Sequence, residues 1–359
     1  MKLGLFNLMG LYDRNSSPTA VVNTTIDMVK MAEDFGFDVA WFAEHHFTNH
    51  TICPSSLMML IRCISETRTI RLGTAVLALP FYNPLRLVQE LAFADLLAAG
   101  RLVLGIGSGY QPQEFERFGV NIEEKNAISM EVWDVIEQAL LTGHVDYSGK
   151  HVRIASTELP MRPFGLSLPE MFVASSSPEL IGRAARQNST PFMSFGHQGL
   201  APALRFRELL AERWAAGGGD AGTMPLAVQR HIYVTDDERE AQFAAQCVRD
   251  LARATDCLSA RAPSRDGLFL RLRPLDDEPP LSAFMDNAII GSADHCAEKL
   301  SAEIEQLKPS HLCCLMAFAG IGREQTLTSM ERFGDEVLPQ LAPHIAPERK
   351  DAEASMAMV

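Results

Sequence analysis

Three features that often decide a protein's class are missing from this sequence. No apolar run approaches the roughly 20 residues of a membrane-spanning helix, so no membrane association is expected. Basic residues are outnumbered, and the formal net charge of −13 argues against nucleic acid as a partner, because phosphate binding needs a basic surface. The 7 cysteines are an odd number without C-x-x-C spacing, which predicts a reduced, cytoplasmic protein.

The amino-terminal run also lacks the marks of a signal peptide. Residues 3–11 are mildly apolar behind Lys2, but Asn7 interrupts the run and no small-residue cleavage site follows before Asp13. A first strand is the better interpretation. With 47% hydrophobic residues in a chain of 359, there is ample material for a large buried core.

Short apolar runs alternate with segments of helical periodicity along the chain. The predicted strands are residues 2–7, 39–47, 70–76, 102–107, 171–174, 191–194, 226–234 and 311–316. The predicted helices are residues 21–35, 55–63, 84–97, 127–141, 178–186, 200–215, 238–255, 293–307 and 324–337. This alternation with short loops is typical of parallel βα units, and it predicts a single (β/α)8 TIM barrel with insertions over residues 1–345.

Three segments depart from that pattern. Residues 145–163 meander between prolines and glycines, and no element is predicted there. Residues 256–287 lose all periodicity, and so long a stretch inside a compact domain is usually a lid or disordered, so a mobile lid is predicted at 256–290. Residues 346–359 are predicted to be a flexible tail.

The second strand ends in Glu44-His45-His46, at the edge where barrel enzymes carry catalytic groups. A metal site is disfavoured, because adjacent strand side chains face opposite sides and zinc needs three or four converging ligands. A structural histidine–carboxylate pair is one remaining interpretation. The other is an imidazole that acts as general acid or base near neutral pH.

Two turns could approach a phosphate. Gly105-Ile106-Gly107-Ser108-Gly109 follows the fourth strand, but Tyr110 stands where a dinucleotide fingerprint needs its third glycine, so a Rossmann site is disfavoured. Its glycines still let the backbone approach a ligand closely. Ser175-Ser176-Ser177-Pro178 follows the fifth strand, where Ser177 suits an N-cap; this is either helix capping alone or a helix terminus that binds phosphate.

Large apolar side chains cluster near the carboxyl ends of the predicted strands. Each alone is better explained as core, but as a set they predict an apolar substrate chamber. They are Phe6, Phe81, Tyr82, Met193, Phe195, Met316 and Phe318.

The order of several short motifs resembles the luciferase-like monooxygenase family, and bacterial luciferase α subunits in particular. The matches are collinear over nearly the whole chain, to about residue 340. They are Ala43-Glu44-His45-His46-Phe47-Thr48, Leu72-Gly73-Thr74-Ala75-Val76 with Asn83-Pro84, Gly100-Arg101-Leu102, Gly109-Tyr110 with Glu114-Phe115 and Phe118-Gly119, Cys313-Cys314, and Met330-Glu331-Arg332-Phe333.

The resemblance implies a barrel that binds reduced flavin and activates dioxygen. His45 would be the catalytic histidine and Glu44 its neighbour in the flavin pocket, while His46 stays undecided. A cis peptide bond would join Ala75 and Val76 and pack against the flavin ring.

The resemblance also places the rest of the cofactor site. Gly107 stands where luciferase has a reactive thiol, and Ser108 where it has a phosphate-binding arginine; with Tyr110 they form the loop beside the cofactor. Ser175 and Ser176 replace a Glu-Ser pair at the flavin phosphate, and Ser177 completes that turn.

These implications lead to an expected function. The chain would be a two-component monooxygenase that takes reduced FMN from a separate flavin reductase and, through a flavin C4a-peroxide, uses O2 to oxygenate an apolar substrate such as an aldehyde or secondary metabolite. The alternatives are an F420-dependent oxidoreductase on the same fold or a non-catalytic flavin-binding partner subunit. A homodimer is expected, because the family commonly dimerises through barrel helices.

Overall fold

The computed structural model describes residues 1–345, so the predicted tail at 346–359 lies outside the described residues. The strands are β1 Lys2–Asn7, β2 Val39–Phe42, β3 Arg71–Thr74, β4 Leu77–Ala78, β5 Leu102–Gly107, β6 His144–Ser148, β7 Arg153–Glu158, β8 Glu170–Ala174, β9 Thr190–Ser194, β10 Ala227–Val234, β11 Arg265–Asp266, β12 Phe269–Leu270, β13 Ile289–Gly291 and β14 His311–Leu315. The α-helices are α1 Pro18–Asp34, α2 Ser56–Ile64, α3 Pro84–Leu97, α4 Pro112–Phe118, α5 Lys125–Thr142, α6 Pro178–Gln187, α7 Leu200–Ala216, α8 Glu238–Ser259, α9 Leu281–Asn287, α10 Ala293–Leu307, α11 Arg323–Arg332 and α12 Leu338–Leu341.

Eight parallel strands close into a barrel in the order β1, β2, β3, β5, β8, β9, β10, β14 and back to β1. These are the eight strands predicted from the sequence, so the (β/α)8 TIM barrel is confirmed. The short strand β4 continues the pairing of β3 with β5, and β13 adds to the outer end of β10. No helix in residues 1–345 is long and apolar enough to span a membrane.

Alternation along each strand separates two apolar layers. Outward residues such as Leu3 and Leu5 pack against the surrounding helices in the main core. Inward residues form a smaller cluster centred on Trp41, whose ring lies 4.7 Å from that of Phe172 and 5.9 Å from that of Phe192. The lower half of the barrel interior is therefore filled by aromatic rings.

Several elements were not predicted from the sequence, and the largest of them lie in three regions. Residues 144–158 form the antiparallel hairpin β6–β7, whose mostly exposed side chains give no apolar alternation to detect. Helix α4, with 7 residues, is too short for a periodic signal. Within 256–287, the expectation of a structureless segment is wrong: α8 continues to Ser259, and the hairpin β11–β12 and helix α9 follow.

Trp41 fits only because the strands on both sides carry glycine. A Cβ on Gly73 would lie 2.4 Å from the indole ring, and a Cβ on Gly4 would lie 2.7 Å from its Nε1. We expect Gly73→Ala to destabilise the protein by about 1–3 kcal/mol, the usual cost of overpacking a filled core. Urea unfolding would measure it. Gly320→Ala, whose added Cβ would meet Phe243 at an ordinary 3.8 Å, is the control; equal stability of the two variants would contradict this account.

Candidate active site at the barrel mouth

The upper half of the barrel interior is open. Inward-facing residues at the carboxyl ends of the strands keep solvent access: Phe6, Ala75, Val76 and Ala174 are half-buried, and Ser194 is exposed. Below them, Trp41 and Phe172 are fully buried. The open space is a chamber at the end of the barrel where enzymes of this fold hold their substrates.

Glu44 is a buried carboxylate on the chamber wall, 6% exposed. Its Oε1 accepts a hydrogen bond from the Tyr82 hydroxyl at 2.5 Å, and its Oε2 accepts from the Ser56 amide and hydroxyl at 3.0 and 2.9 Å. Burial raises the pKa of Glu44, and these hydrogen bonds oppose that shift. The carboxyl group thus joins β2 to the start of α2 and to the turn before α3.

The two histidines have different surroundings, and strand alternation is not the reason, because β2 already ends at Phe42. His46 packs among the rings of Phe47, Phe81 and Phe118, and burial lowers its pKa. His45 instead faces Tyr110, with ring planes at 87° and centroids 5.5 Å apart. His46 is therefore part of an aromatic rim, while His45 belongs to the chamber.

His45 is surrounded by polar groups that the sequence did not single out. Its Nδ1 lies 2.8 Å from Gln111 Nε2 and 3.4 Å from Glu114 Oε1. The His50 ring is 5.5 Å away, and burial, with His45 as a second cause, lowers the pKa of His50 to about 3. His50 is therefore neutral near pH 7 and shares a 2.9 Å hydrogen bond with the Tyr12 hydroxyl.

Closely packed residues at the ends of β3, β5 and β8 form a wall at one side of the chamber. The Ala75–Val76 peptide bond is cis, as predicted. Before it, the Thr74 hydroxyl donates to the Gly105 carbonyl at 2.9 Å and accepts from the Gly105 amide at 3.0 Å. A Cβ on Gly107 would lie 2.8 Å from Val76 and 3.1 Å from the Ala174 carbonyl, so glycine is needed for this close approach.

The serine turn lies beside this wall, because Gly107 and Ala174 are paired in neighbouring strands. Ser177 caps α6, and its amide donates to the Ser175 hydroxyl at 3.0 Å. The side chain of Lys125, at the start of α5, donates to the Gly109 carbonyl at 3.0 Å. Lys125 thus brings a cation to the loop after β5, at a position that the sequence interpretation overlooked.

The opposite side of the chamber is polar as well. Ser194 donates to Gln229 Oε1. Gln229 Nε2 and His231 Nδ1 are buried and have no hydrogen-bond partner among residues 1–345. Burial lowers the pKa of His231 to about 3, with Arg230 and His197 adding to the effect, so this ring is neutral. In the sequence, Gln229 and His231 share one face of the strand and Val228 and Ile232 lie on the other, but the sequence does not show which face points into the barrel.

The prediction of an apolar pocket is wrong for three of its seven residues. Met193, Phe195 and Met316 face outward and are buried in the main core between the barrel and its helices. The prediction failed for these residues because the alternation of side chains along a strand, and not closeness to the strand end, decides which side chains face inward. Phe6 lies at the chamber and Phe318 packs against the His231 ring, whereas Phe81 joins the aromatic rim and Tyr82 binds Glu44.

Asn49 joins the hairpin β11–β12 to the loop that carries the histidines. Its backbone amide donates to the Leu268 carbonyl at 3.0 Å, and its side-chain Oδ1 accepts from the Leu270 backbone amide at 2.8 Å. Its Nδ2 donates to the Leu11 carbonyl at 3.0 Å, and its own carbonyl accepts from the Leu11 amide at 2.9 Å. The segment predicted as a lid is therefore docked on the loop after β2.

A closed parallel barrel with an imidazole, a buried carboxylate and a serine-rich turn at the carboxyl ends of its strands is typical of enzymes of the (β/α)8 class. Within residues 1–345, no group of three or more His, Cys, Asp or Glu side chains is placed to hold a metal ion. The chain belongs to the luciferase-like monooxygenase family, whose model matches residues 1–311. It is accordingly an oxidoreductase.

Similar proteins extend over nearly the full chain. An uncharacterized protein of Sinorhizobium fredii, y4vJ, is 33% identical over 94% of this chain and 97% of its own length. The oxygenase component of a flavin-dependent trigonelline monooxygenase from Acinetobacter baylyi is 24% identical over 94% of this chain and 95% of its own.

Two solved structures share the fold. One is the oxygenating constituent of 3,6-diketocamphane monooxygenase from Pseudomonas putida in complex with FMN (TM-score 0.73, 20% identity, 97% of this chain and 100% of that one). The other is an F420-dependent secondary alcohol dehydrogenase with an F420-acetone adduct (TM-score 0.71, 14% identity, 95% of this chain and 98% of that one).

Removing the Asn49 side chain should loosen the hairpin β11–β12. In Asn49→Ala the Leu270 amide and the Leu11 carbonyl lose their partner, which costs about 1–3 kcal/mol and raises local opening about 5- to 150-fold. Trypsin cleavage at the exposed Arg265 and Arg271 should accelerate accordingly, because proteolysis follows the open population. Asn126→Ala in α5 is the matched control. Unchanged cleavage in Asn49→Ala would show that the hairpin is held by other contacts.

Proposed function

We propose that the chain is the oxygenase component of a two-component flavin-dependent monooxygenase. A separate reductase would supply reduced FMN, which would activate dioxygen for transfer to an organic substrate. One arrangement carries the proposal: His45 packs against Tyr110 in the loop after β5, the strand in which Gly107 closely approaches Val76 and the Ala174 carbonyl. An isoalloxazine ring would pack against this wall.

The phosphate end of the chamber supports FMN as the ligand. Ser175 and Ser176 lie at the carboxyl end of β8, before the N-terminus of α6. Luciferase has a phosphate-binding arginine where this chain has Ser108. Lys125 would take its place, because its ammonium group lies at Gly109 in the loop after β5. Glu179 is hydrogen-bonded to Ser177 in the first turn of α6, so a phosphate is better placed at Ser175 and Ser176 than on the helix axis.

The chamber favours a substrate that is largely apolar but carries a hydrogen-bond acceptor. Phe6 and Phe318 supply apolar surface, whereas Gln229 Nε2 is a buried donor without a partner among the described residues. Arg230 is no candidate for an anionic substrate, because Glu303 and two backbone carbonyls occupy its guanidinium. A neutral carbonyl oxygen would suit the site.

F420-dependent hydride transfer is the second candidate, supported by the fold shared with the F420-dependent dehydrogenase. A non-catalytic flavin-binding partner subunit is the third, and the polar surroundings of His45 disfavour it because a binding subunit needs no such group. Comparing the binding of FMN and F420 separates the first two.

We also propose a homodimer and a closing lid. Apolar side chains are exposed on the adjacent helices α2 and α3, namely Met58, Ile61, Phe93, Leu96 and Leu97. A second copy of the chain would cover this face, and sedimentation at increasing concentration would reveal a doubled mass. Residues 256–290 would close over bound flavin and keep water from it, in which case FMN slows the tryptic cleavage at Arg265.

The catalytic role of His45 has a direct test. With reduced FMN and oxygen-18 gas, wild-type protein should place label into a long-chain aldehyde or a cyclic ketone. In His45→Ala the labelled product should fall about 100-fold or more, as expected for loss of a general acid or base, while FMN affinity stays unchanged. His144→Ala, on the exposed hairpin β6–β7, is the control. If the wild type places no oxygen-18 into either substrate and instead oxidises a secondary alcohol with F420, the second candidate replaces this proposal.

The role of Lys125 can be separated from general flavin binding. Lys125→Met should weaken FMN binding about 10- to 100-fold, the value of a charged hydrogen bond, and leave riboflavin binding unchanged because riboflavin has no phosphate. Flavin fluorescence titration measures both. Lys30→Met on α1 is the control. An equal loss for the two flavins would assign Lys125 a structural role instead.

A further inference from the structure

A line of side chains connects His45 to the surface of α4. Arg117 Nη1 donates to Gln113 Oε1 at 3.1 Å, and Gln113 Nε2 donates to Gln111 Oε1 at 3.4 Å. Gln111 Nε2 then lies 2.8 Å from His45 Nδ1. Both glutamines are buried, at 0% and 1% exposure for Gln111 and Gln113, so water cannot substitute for these partners.

Arg117, at the outer end of this line, decides which atom of each hydrogen bond donates and which accepts. A guanidinium has only donors, so Gln113 must turn its oxygen toward Arg117 and its NH2 toward Gln111. The Gln111 oxygen is thereby occupied, and its NH2 faces His45. We infer that this relay fixes the tautomer of the neutral His45 ring, with a lone pair on Nδ1 and the hydrogen on Nε2. Turning either amide round would place two donors against each other.

Glu114 is the competing partner. Its Oε1 lies 3.4 Å from His45 Nδ1, and a carboxylate would favour the opposite tautomer by accepting from an Nδ1–H group. However, the same oxygen already accepts the His46 amide at 2.7 Å, and Gln111 is closer to Nδ1. Gln111 is therefore the partner of the neutral ring.

The tautomer of His45 decides whether the ring donates a hydrogen bond to a ligand or accepts one. Applying this to catalysis rests on the proposed function. His45 Nε2 has no hydrogen-bond partner among residues 1–345, so it is the nitrogen available to a ligand. A neutral ring that carries its hydrogen there donates to a ligand oxygen and cannot remove a proton from it. Gln111, Gln113 and Arg117 are then positioning residues that set the chemical role of His45.

Nitrogen-15 NMR of histidine-labelled protein without flavin tests the tautomer directly. The spectra are recorded about two pH units above the ordinary imidazole pKa of about 6.5, and the His45 signals are assigned by their loss in His45→Asn. We expect the hydrogen on Nε2 in the wild type. In Gln111→Glu the new carboxylate can only accept, so the hydrogen should move to Nδ1. Gln89→Glu in α3 makes the same chemical change outside the relay and should leave the His45 signals unchanged.

A second variant keeps the test decisive if Gln111→Glu does not fold. Arg117 is exposed, and Arg117→Met removes the obligate donor, so the wild-type preference should give way to a mixture of both tautomers. An Nδ1–H ring in the wild type, or unchanged tautomers in both variants, would overturn the inference. Because no flavin is present, failure of FMN binding or of oxygenation would bear on the proposed function alone.

Discussion

The buried carboxylate of Glu44 is the constraint on which the site depends. A carboxyl group removed from water is stable only when its oxygens are supplied with donors. Tyr82 and Ser56 supply them, and they belong to the two βα connections that follow β2 and the cis bond. The hydrogen bonds of one carboxylate therefore fix the relative positions of these two consecutive connections at the barrel mouth. His45 and His46 follow Glu44 directly in the chain, so their positions depend on the same hydrogen bonds.

Residues 39–47 contribute both to the floor and to the rim of the chamber. Trp41 faces inward and fills the lower barrel, for which the neighbouring strands provide glycine at positions 4 and 73. Three residues further on the strand has ended, and Glu44 and His45 stand above that filled half. A large ring below and small residues above leave an open chamber on a rigid base. Precision at the site thus comes from packing beneath it as well as from its own hydrogen bonds.

The barrel could be predicted from the sequence because each βα unit carries its own signal: an apolar run, a helical period and a turn residue. The predicted bounds of β1, β5, α3 and α10 match the structure. Short elements such as α4 and the hairpin β11–β12 lack enough residues to show a period. The site divides in the same way. Glu44 and His45 follow a strand and could be found, whereas Gln111, Lys125 and Gln229 act through contacts between distant segments that one sequence does not reveal.

The surroundings of His45 differ from those of a simple histidine–carboxylate pair. In such a pair the carboxylate accepts from one ring nitrogen and favours the protonated ring. Here Glu44 is occupied by Tyr82 and Ser56, and the Glu114 oxygen nearest His45 accepts the His46 amide. An amide, Gln111, holds the ring at the shortest distance. Amides orient an imidazole without adding charge, so the two carboxylates support the loop while the polarity of His45 is set from α4.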